Sequence, residues 1–333
     1  MRPILRSLLA VCLLATACTA GSAPRAVAQE QDVEIRSVAQ PFKIDDPSAR
    51  RLGRLQWRGG ISMTANHPGF GGWSDLHVSP DGRSLTSISD EGAWLTATID
   101  YDGEANLAGL SRGRIGQLRG LDGKPIESKA EADAEAMARL PDGSWLVAFE
   151  RRHRLWRYST LTATPEPIEG PAEIGRQPAN GGIEAMTALP DGRVVMLSEE
   201  YAVQPGTVMG WIGMPGPGSG YEWRSFAYAT IPDFKPTALA PLPDGTFVVL
   251  ERAFDMVRGV RCRLMLVEPR LMAGGTVRGE ELARLASPYA VDNLEGLAAT
   301  RGPRGETLLW LMSDDNFNPL QRNLLLLLEL VAP

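Results

Sequence analysis

The apolar and polar positions of this chain repeat as one short unit, in which two apolar runs flank a tight turn. Four copies, with a Pro-Asp-Gly turn, begin at Ser74, Glu135, Glu184 and Thr237, and a fifth begins at Glu295 with Arg-Gly-Pro-Arg-Gly instead. Proline presets the first turn position, aspartate hydrogen-bonds the turn backbone, and glycine accepts a positive φ. Each copy therefore predicts a β-hairpin.

Further apolar segments follow the hairpins and predict additional strands. Third strands are predicted at 94–100, 155–159, 263–268 and 323–330, and fourth strands at 113–120 and 223–228. Three or four antiparallel strands that recur about every 40 to 60 residues are typical of β-propeller blades. We predict an all-β propeller with six blades, and five or seven blades are the alternatives.

The segment before the first hairpin favours six blades. Residues 51–63 are predicted to form strands that pair with the C-terminal strand, so that both chain ends build one blade and close the ring. Closure removes exposed sheet edges.

Other segments give local predictions. Residues 204–221, rich in Gly and Pro, are interpreted as a long loop, and only 128–138 looks helical. The propeller domain is predicted to span 51–333, after an extension at 29–50.

Composition is consistent with one large folded domain. The chain has 333 residues, of which 44% are hydrophobic, and its 35 glycines and 25 prolines suit many tight turns. The formal net charge of −6 argues against non-specific binding to nucleic acid.

The N-terminus resembles an export signal, because Arg2 and Arg6 precede a short apolar run. Two cleavage sites compete: release after residue 28, or a lipoprotein signal of residues 1–17 that leaves a lipidated Cys18. We expect a periplasmic or extracellular protein, with membrane attachment only through a lipid on Cys18. Either site leaves Cys262 as the remaining unlipidated cysteine, so we expect a buried thiol and no internal disulfide.

Acidic residues return at the end of each hairpin that lies opposite the turn. The early positions are Asp75, Glu135, Glu184 and Glu295, with Thr237 in the fourth unit, and the late positions are Asp90, Glu150, Glu199, Glu251 and Asp314. If the first strand of each unit is innermost, these side chains ring one mouth of a central channel. Clustered carboxylates have raised pKa values unless their charge is compensated.

Two kinds of compensation are open from the residues alone. A hard cation such as Ca²⁺ takes six to eight oxygen ligands. Alternatively, basic side chains neutralise the ring, and Arg151, Arg152 and Arg252 directly follow late acidic positions. A purely structural ring, which hydrogen-bonds neighbouring loops, is a third interpretation. The chain contains no G-x-S-x-G, H-E-x-x-H or P-loop motif.

Several segments resemble the bacterial "esterase-like activity of phytase" family. They are SDDNFNPLQRNLLLLLEL from Ser313, FGGWSDLHVSPDG from Phe70, GIEAMTALPDG and NLEGLA. The resemblance extends over about residues 53–330. It implies an exported, phytase-like β-propeller with hydrolase activity on phosphoric or other esters.

Similarity to calcium-dependent propeller phytases further implies a metal site and a phosphate clamp. The implied Ca²⁺ ligands are Asp75, Asp90, Glu135, Glu150, Glu184, Glu199, Glu251, Glu295, Asp314, Asp315 and Asn316. The implied phosphate clamp is Arg151, Arg152 and Arg252. The resulting expectation is a metal-assisted hydrolase of small anionic phosphate esters. A non-catalytic binding propeller of the cell envelope and a hydrolase of carboxyl esters or lactones are the alternatives.

Overall fold

The computed structural model describes residues 30–218, 220–268 and 275–332. The predicted signal segment, with Cys12 and Cys18, lies outside the described residues. Within the described residues, no helix is long and apolar enough to cross a membrane. Four strands precede the first hairpin: β1 (Gln31–Val33), β2 (Ile35–Ala39), β3 (Arg51–Leu52) and β4 (Leu55–Ala65).

The repeated hairpins and the strands that follow them make up the rest of the fold. The first two units contain β5 (Trp73–Val78), β6 (Ser84–Ser89), β7 (Ala93–Tyr101), β8 (Leu107–Gln117), β9 (Ala134–Arg139), β10 (Trp145–Phe149), β11 (Arg154–Tyr158) and β12 (Glu166–Ile168). The third contains β13 (Ile183–Ala188), β14 (Val194–Ser198), β15 (Thr207–Pro215) and β16 (Tyr221–Ala229). The last two contain β17 (Lys235–Pro241), β18 (Phe247–Asp255), β19 (Gly259–Val267), β20 (Thr276–Val277), β21 (Glu280–Ala286), β22 (Asn293–Arg301), β23 (Thr307–Asp314) and β24 (Asn323–Leu330). Two short helices, α1 (Lys129–Ala132) and a 3₁₀ turn (Ile174–Arg176), lie between strands.

These strands form five sheets arranged as a closed five-bladed propeller. From the inside outward, the sheets are β5-β6-β7-β8-β1, β9-β10-β11-β12, β13-β14-β15-β16-β20, β17-β18-β19-β21 and β22-β23-β24-β4-β2, with β3 beside β4. The inner strands contact one another in the cyclic order β5, β9, β13, β17, β22 and back to β5. The predicted β-propeller is therefore confirmed, with five blades instead of the favoured six.

The blade count differs because both chain ends share the fifth blade. Strand β4 pairs antiparallel with β24, and Ile61 lies opposite Leu325. The N-terminal strands thus extend the C-terminal sheet instead of building a sheet of their own. The segment at 29–50 also joins the propeller, because β1 pairs with β8 and β2 pairs with β4 at the outer edges of two blades.

Strand β24 is the most apolar strand of the ring closure. Leu325 and Leu327 pack into the core beside blade one, whereas Leu324, Leu326 and Leu328 pack into the core beside blade four. All five side chains are fully buried. A strand covered on both faces reads as an unbroken apolar run, which explains the leucine-rich C-terminal sequence.

Two local predictions are wrong. Residues 204–221 are not one long loop, because β15 covers half of that segment. Gly210 and Gly213 leave room there for the rings of Phe226 and Trp223 on β16, where an added Cβ would lie 2.3 and 2.6 Å from ring carbons. The helix predicted at 128–138 is confined to α1, and β9 begins two residues after it.

Leu326 tests the contribution of the closing strand to stability. Replacing this fully buried side chain by alanine leaves a cavity between two blades, so we expect Leu326→Ala to lower the free energy of unfolding by about 2–5 kcal/mol. Urea denaturation measures the loss. Leu320→Ala is the matched control, because Leu320 is 90% exposed. Equal unfolding midpoints for the two variants would contradict the proposed role of β24.

Candidate functional site

Each inner strand has a one-residue β-bulge near its start. In the pairing between the first and second strands of each blade, one residue of the first strand has no partner. These unpaired residues are Ser74, Glu135, Glu184, Thr237 and Glu295. A bulge re-aims the side chain of the extra residue, and bulges are common beside active sites. The five blades therefore present equivalent side chains, three carboxylates and two hydroxyls, at the same level of the channel.

A second set of equivalent residues lies on or just after the second strand of each blade. Each member directly follows the residue that pairs with the inner-strand residue before the bulge. These residues are Asp90, Glu150, Glu199, Arg252 and Asp314. Four blades thus contribute a carboxylate, and blade four contributes a guanidinium. We call the two sets together the acidic mouth. Its charge is asymmetric, because blade four carries a hydroxyl and an arginine where blades two, three and five carry two acids.

The bulged glutamates of the acidic mouth lie close enough to influence one another. Burial raises the pKa of Glu135 well above its usual range, and the negative charges of Asp133 and Glu295 raise it further. Burial likewise raises the pKa of Glu184, with smaller contributions from Glu199 and Glu135. These mutual effects show that side chains from different blades converge at the channel.

Glu295 and Asp314 represent blade five in this cluster. Burial raises the pKa of Glu295 to about 7, although the positive charge of Arg252 opposes the shift. Burial also raises the pKa of Asp314 well above its usual range, and Glu295 adds to that effect. Glu295 can therefore take up or release a proton near neutral pH.

Two basic side chains of blade four offset part of the negative charge. A terminal guanidinium nitrogen of Arg252 lies 3.3 Å from Glu295 and 3.6 Å from Glu199. The Lys235 ammonium lies 3.8 Å from Glu199 and contacts Glu200. Arg252 thus links the acidic residues of blades three and five across blade four.

On the opposite side of the mouth, Lys129 and Arg151 hold the acids of blades one and two. The Lys129 ammonium donates to Asp90 Oδ2 and to Asp133 Oδ1, each at 2.6 Å. Arg151 donates to the other oxygen of Asp133. Despite this, Asp90 Oδ1 is buried without a hydrogen-bond partner in the described part of the chain.

Asp133, Glu135 and Glu150 form the acidic group best placed to hold a metal ion. One oxygen from each lies within 4.8 Å of the others. The backbone N–H groups of Gly181 and Gly182 donate to Glu150 Oε1, the second at 2.9 Å. Among described residues, no donor contacts Glu150 Oε2 or the Glu135 carboxylate. The sequence prediction missed Asp133; its only signal was its place two residues before Glu135.

Two acids predicted for the ring are directed elsewhere. Asp75 follows the bulged Ser74, so its carboxylate faces the neighbouring blade and accepts N–H groups from Leu76 and Met137, both at 2.7 Å. Glu251 precedes the mouth residue Arg252 and is fully buried in another ion pair. The structure therefore places both carboxylates outside the acidic mouth, in contacts within and between blades.

The partners of Glu251 lie between blades three and four. The Tyr228 hydroxyl donates to Glu251 Oε1 at 2.7 Å, and Arg263 Nε donates to Oε2 at 2.6 Å. Both carboxylate oxygens of Glu251 therefore already accept hydrogen bonds.

Arg152 lies apart from the other residues of the predicted phosphate clamp. Its side chain is 69% exposed and pairs with Glu131 at the surface.

Asp315 and Asn316 brace the loop that follows Asp314. Asp315 Oδ1 accepts the Gly72 N–H at 3.0 Å, and its Oδ2 accepts the Asn323 amide at 2.9 Å. The Asn316 N–H donates to Asp314 Oδ1 at 2.6 Å. This loop therefore fixes the orientation of Asp314 at the acidic mouth and joins blade five to blade one.

The remaining cysteine has no role in the mouth. Cys262 is a free thiol and fully buried, and burial raises its pKa to about 12. A thiol with such a pKa is protonated at neutral pH and is a poor nucleophile.

Comparison with known families agrees with the resemblance seen in the sequence. The family model for phytase-like proteins, described as esterase-like activity of phytase, matches residues 68–317. The chain belongs to this family. The matched residues of this phytase-like chain include the inner strands of all five blades and the whole acidic mouth. No curated protein matches the chain.

Several solved structures are similar to this phytase-like chain at 10–14% identity. A candidate gluconolactonase is 12% identical, with 89% of this chain and 100% of that chain covered and a TM-score of 0.39. A protein of unknown function from Dyadobacter fermentans is 14% identical (90% and 99% covered, TM-score 0.42). The Cps50 (Swd1) β-propeller domain of Myceliophteria thermophila is 10% identical (88% and 98% covered, TM-score 0.38). These likenesses carry no argument about chemistry.

A substitution of Asp75 tests whether its carboxylate lies outside the acidic mouth. In Asp75→Asn, the amide nitrogen would face one of two backbone N–H groups that now donate to the carboxylate. We expect the free energy of unfolding to fall by about 1–3 kcal/mol, the usual effect of a buried unsatisfied donor. Asp32→Asn is the control, because the Asp32 side chain is 97% exposed. If Asp75 belonged to the acidic mouth, removal of its charge would instead stabilise the metal-free protein.

The raised pKa values predict how stability depends on pH in a chelator. Folded Glu295 titrates near 7 and the unfolded group near 4.5, so its stabilising protonation is complete below about pH 4.5 and lost as pH rises through 7. This group alone corresponds to a loss of about 3 kcal/mol. Urea unfolding at pH 5 and pH 7.5 measures the difference. In Glu295→Gln, the free energy of unfolding should fall less between these two pH values. An equal fall in this variant and the wild type would contradict the raised pKa of Glu295.

Proposed function

We propose that the acidic mouth is the reaction centre of an exported, metal-assisted hydrolase of phosphate esters. The observation that carries this proposal is the convergence of Asp133, Glu135 and Glu150 at the channel, where one oxygen of each lies within 4.8 Å of the others. Among the described residues, the Glu135 carboxylate and Glu150 Oε2 accept no hydrogen bond, whereas Asp133 is paired with Lys129 and Arg151. Membership of the phytase-like family supports ester hydrolysis as the reaction class. Export rests on the signal-like N-terminal sequence.

The residues present fit a hard divalent cation such as Ca²⁺. The donor set consists entirely of carboxylate oxygens, which Ca²⁺ and Mg²⁺ prefer over nitrogen and sulfur. Asp90 supplies a further buried oxygen, Oδ1, which has no hydrogen-bond partner among the residues that the structure describes. Burial is the main cause of the raised pKa values of Glu135 and Glu150, and repulsion from the Asp133 charge adds to both shifts. A cation at this place would relieve that repulsion.

When bound, a divalent cation in such a site polarises a phosphoryl oxygen and lowers the pKa of a water molecule. The side chains of the mouth supply binding and orientation. Arg252 is the best placed phosphate contact, because it lies in the blade whose bulged residue is the uncharged Thr237. Arg151 is a second cation near the proposed metal ligands. Both guanidiniums are held by carboxylates, which keeps their planes oriented.

The asymmetry of blade four suggests how a phosphate ester is oriented. Acids predominate on the side of blades two and three, whereas Arg252, Lys235 and Thr237 lie on the side of blade four. We therefore place the cation-facing phosphate oxygens toward Glu135 and the remaining oxygens toward Arg252. An uncompensated anion would be repelled by the acids, so phosphate binding should require the cation.

The experiment combines metal titration with an esterase assay on the purified chain after chelation. We expect added Ca²⁺ to raise the melting temperature and to start hydrolysis of p-nitrophenyl phosphate. At a cation concentration of 100 times Kd, binding stabilises the folded state by about 2.7 kcal/mol. Glu135→Gln should weaken cation affinity by about 10–100-fold, the range seen when groups that support a metal site are removed.

Glu34→Gln is the matched control, since Glu34 is exposed on the outer edge of the propeller. Parallel assays with p-nitrophenyl acetate separate the alternatives. Activity on the carbon ester but not on the phosphate ester would favour a carboxyl-ester or lactone hydrolase. Cation binding without turnover of either substrate would favour a binding propeller. If cation and chelator change neither stability nor activity, the proposal is wrong.

A further inference from the structure

The end of the channel opposite the acidic mouth contains a second, separate cavity. It has a volume of about 780 Å³ and lies between the turn-proximal halves of all five inner strands. Its walls include Leu76, Met137, Met186, Leu239 and Leu297, one from each blade. This size is within the range of sites for small organic molecules, about 300–1,000 Å³. We call it the turn-side cavity.

The charged residues of the turn-side cavity are predominantly basic. Its lining includes Arg139, Arg193, Arg301 and a single carboxylate, Asp191. Asp191 is already paired with Arg193 at 2.7 Å. Arg139 and Arg301 form no ion pair with a carboxylate within the described parts of the chain. Within the described residues, two exposed guanidiniums thus lie beside an apolar cavity without a direct ion pair, and the charge of Asp142 acts on Arg139 from a greater distance.

One of these arginines is held in place by an aromatic ring. The Arg139 guanidinium carbon lies 4.5 Å from the centre of the Trp145 ring, which is a cation–π contact. Trp145 also contacts the edge of His77, with ring centres 5.2 Å apart. Burial, together with the charge of Arg139, lowers the pKa of His77 to about 4. The imidazole is thus neutral at pH 7 and can donate or accept a hydrogen bond.

The two ends of the channel consequently favour ligands of opposite character. The acidic mouth has buried carboxylates, whereas the turn-side cavity has apolar walls and unpaired guanidiniums at Arg139 and Arg301. We propose that the turn-side cavity binds a small organic anion with an apolar body, such as a medium-chain carboxylate. The apolar part would lie against the aliphatic walls, and the head group would accept hydrogen bonds from the two arginines. This site is independent of the function proposed for the acidic mouth.

The fluorescent anion 8-anilinonaphthalene-1-sulfonate tests the proposal on the folded chain. Its neutral analogue, N-phenyl-1-naphthylamine, has the same aromatic body without the sulfonate. We expect the anion to bind more tightly than the analogue. Arg139→Gln and Arg301→Gln should each weaken binding of the anion about tenfold or more, as expected for loss of a charge-assisted hydrogen bond. Binding of the neutral analogue should stay nearly unchanged.

Arg36→Gln is the matched control, because Arg36 is an exposed arginine on β2, outside the cavity lining. Near-ultraviolet circular dichroism verifies that each variant keeps native packing, since loosened proteins also bind these dyes. Decanoate should displace the bound anion, and inorganic phosphate, which lacks an apolar body, should not. Equal affinity for the charged and neutral dyes, or equal affinity of the wild type and both arginine variants, would overturn the proposal.

Discussion

The pairing of the N-terminal strand β4 with the C-terminal strand β24 holds the propeller closed. It joins residues separated by most of the chain and closes five sheets into a ring. Closure brings the five inner strands into mutual contact, so equivalent positions of distant repeats meet at one channel. Without it, the bulged glutamates would lie on separate hairpins with no shared site.

Closure also brings several carboxylates close together in the acidic mouth, where their negative charges repel one another. Glu135, Glu184 and Glu295 are partly buried and influence one another's pKa, and burial of a charge is costly unless protons or counter-ions reduce it. The chain provides basic partners unevenly: Lys129 and Arg151 near blades one and two, and Arg252 with Lys235 at blade four. The Glu135 carboxylate receives none of these contacts. The proposed divalent cation would supply positive charge at this place.

Much of this architecture was predictable, because hairpins with Pro-Asp-Gly turns have a local sequence signal. The blade count was not, because strand pairing between chain ends depends on which sheet accepts β4. The remaining errors at the site came from choosing an acid one residue away from the repeat spacing. Glu135 and Glu184 precede their turn prolines by six residues, as Ser74 does, whereas Asp75 precedes its proline by five. Glu150 and Glu199 follow their turn prolines by nine residues, as Arg252 does, whereas Glu251 follows its proline by eight. Neighbouring side chains of a strand point to opposite faces, so Asp75 and Glu251 fall outside the mouth.

The proposed cation site at the channel mouth consists of the carboxylates of blade two. It can be tested by anomalous diffraction from crystals grown with Mn²⁺, which takes the same oxygen ligands. We expect an anomalous peak in contact with oxygens of Asp133, Glu135 and Glu150, and loss of that peak in Glu135→Gln. A structure with no peak at the mouth, or with the metal bound only at exposed surface carboxylates, would contradict it.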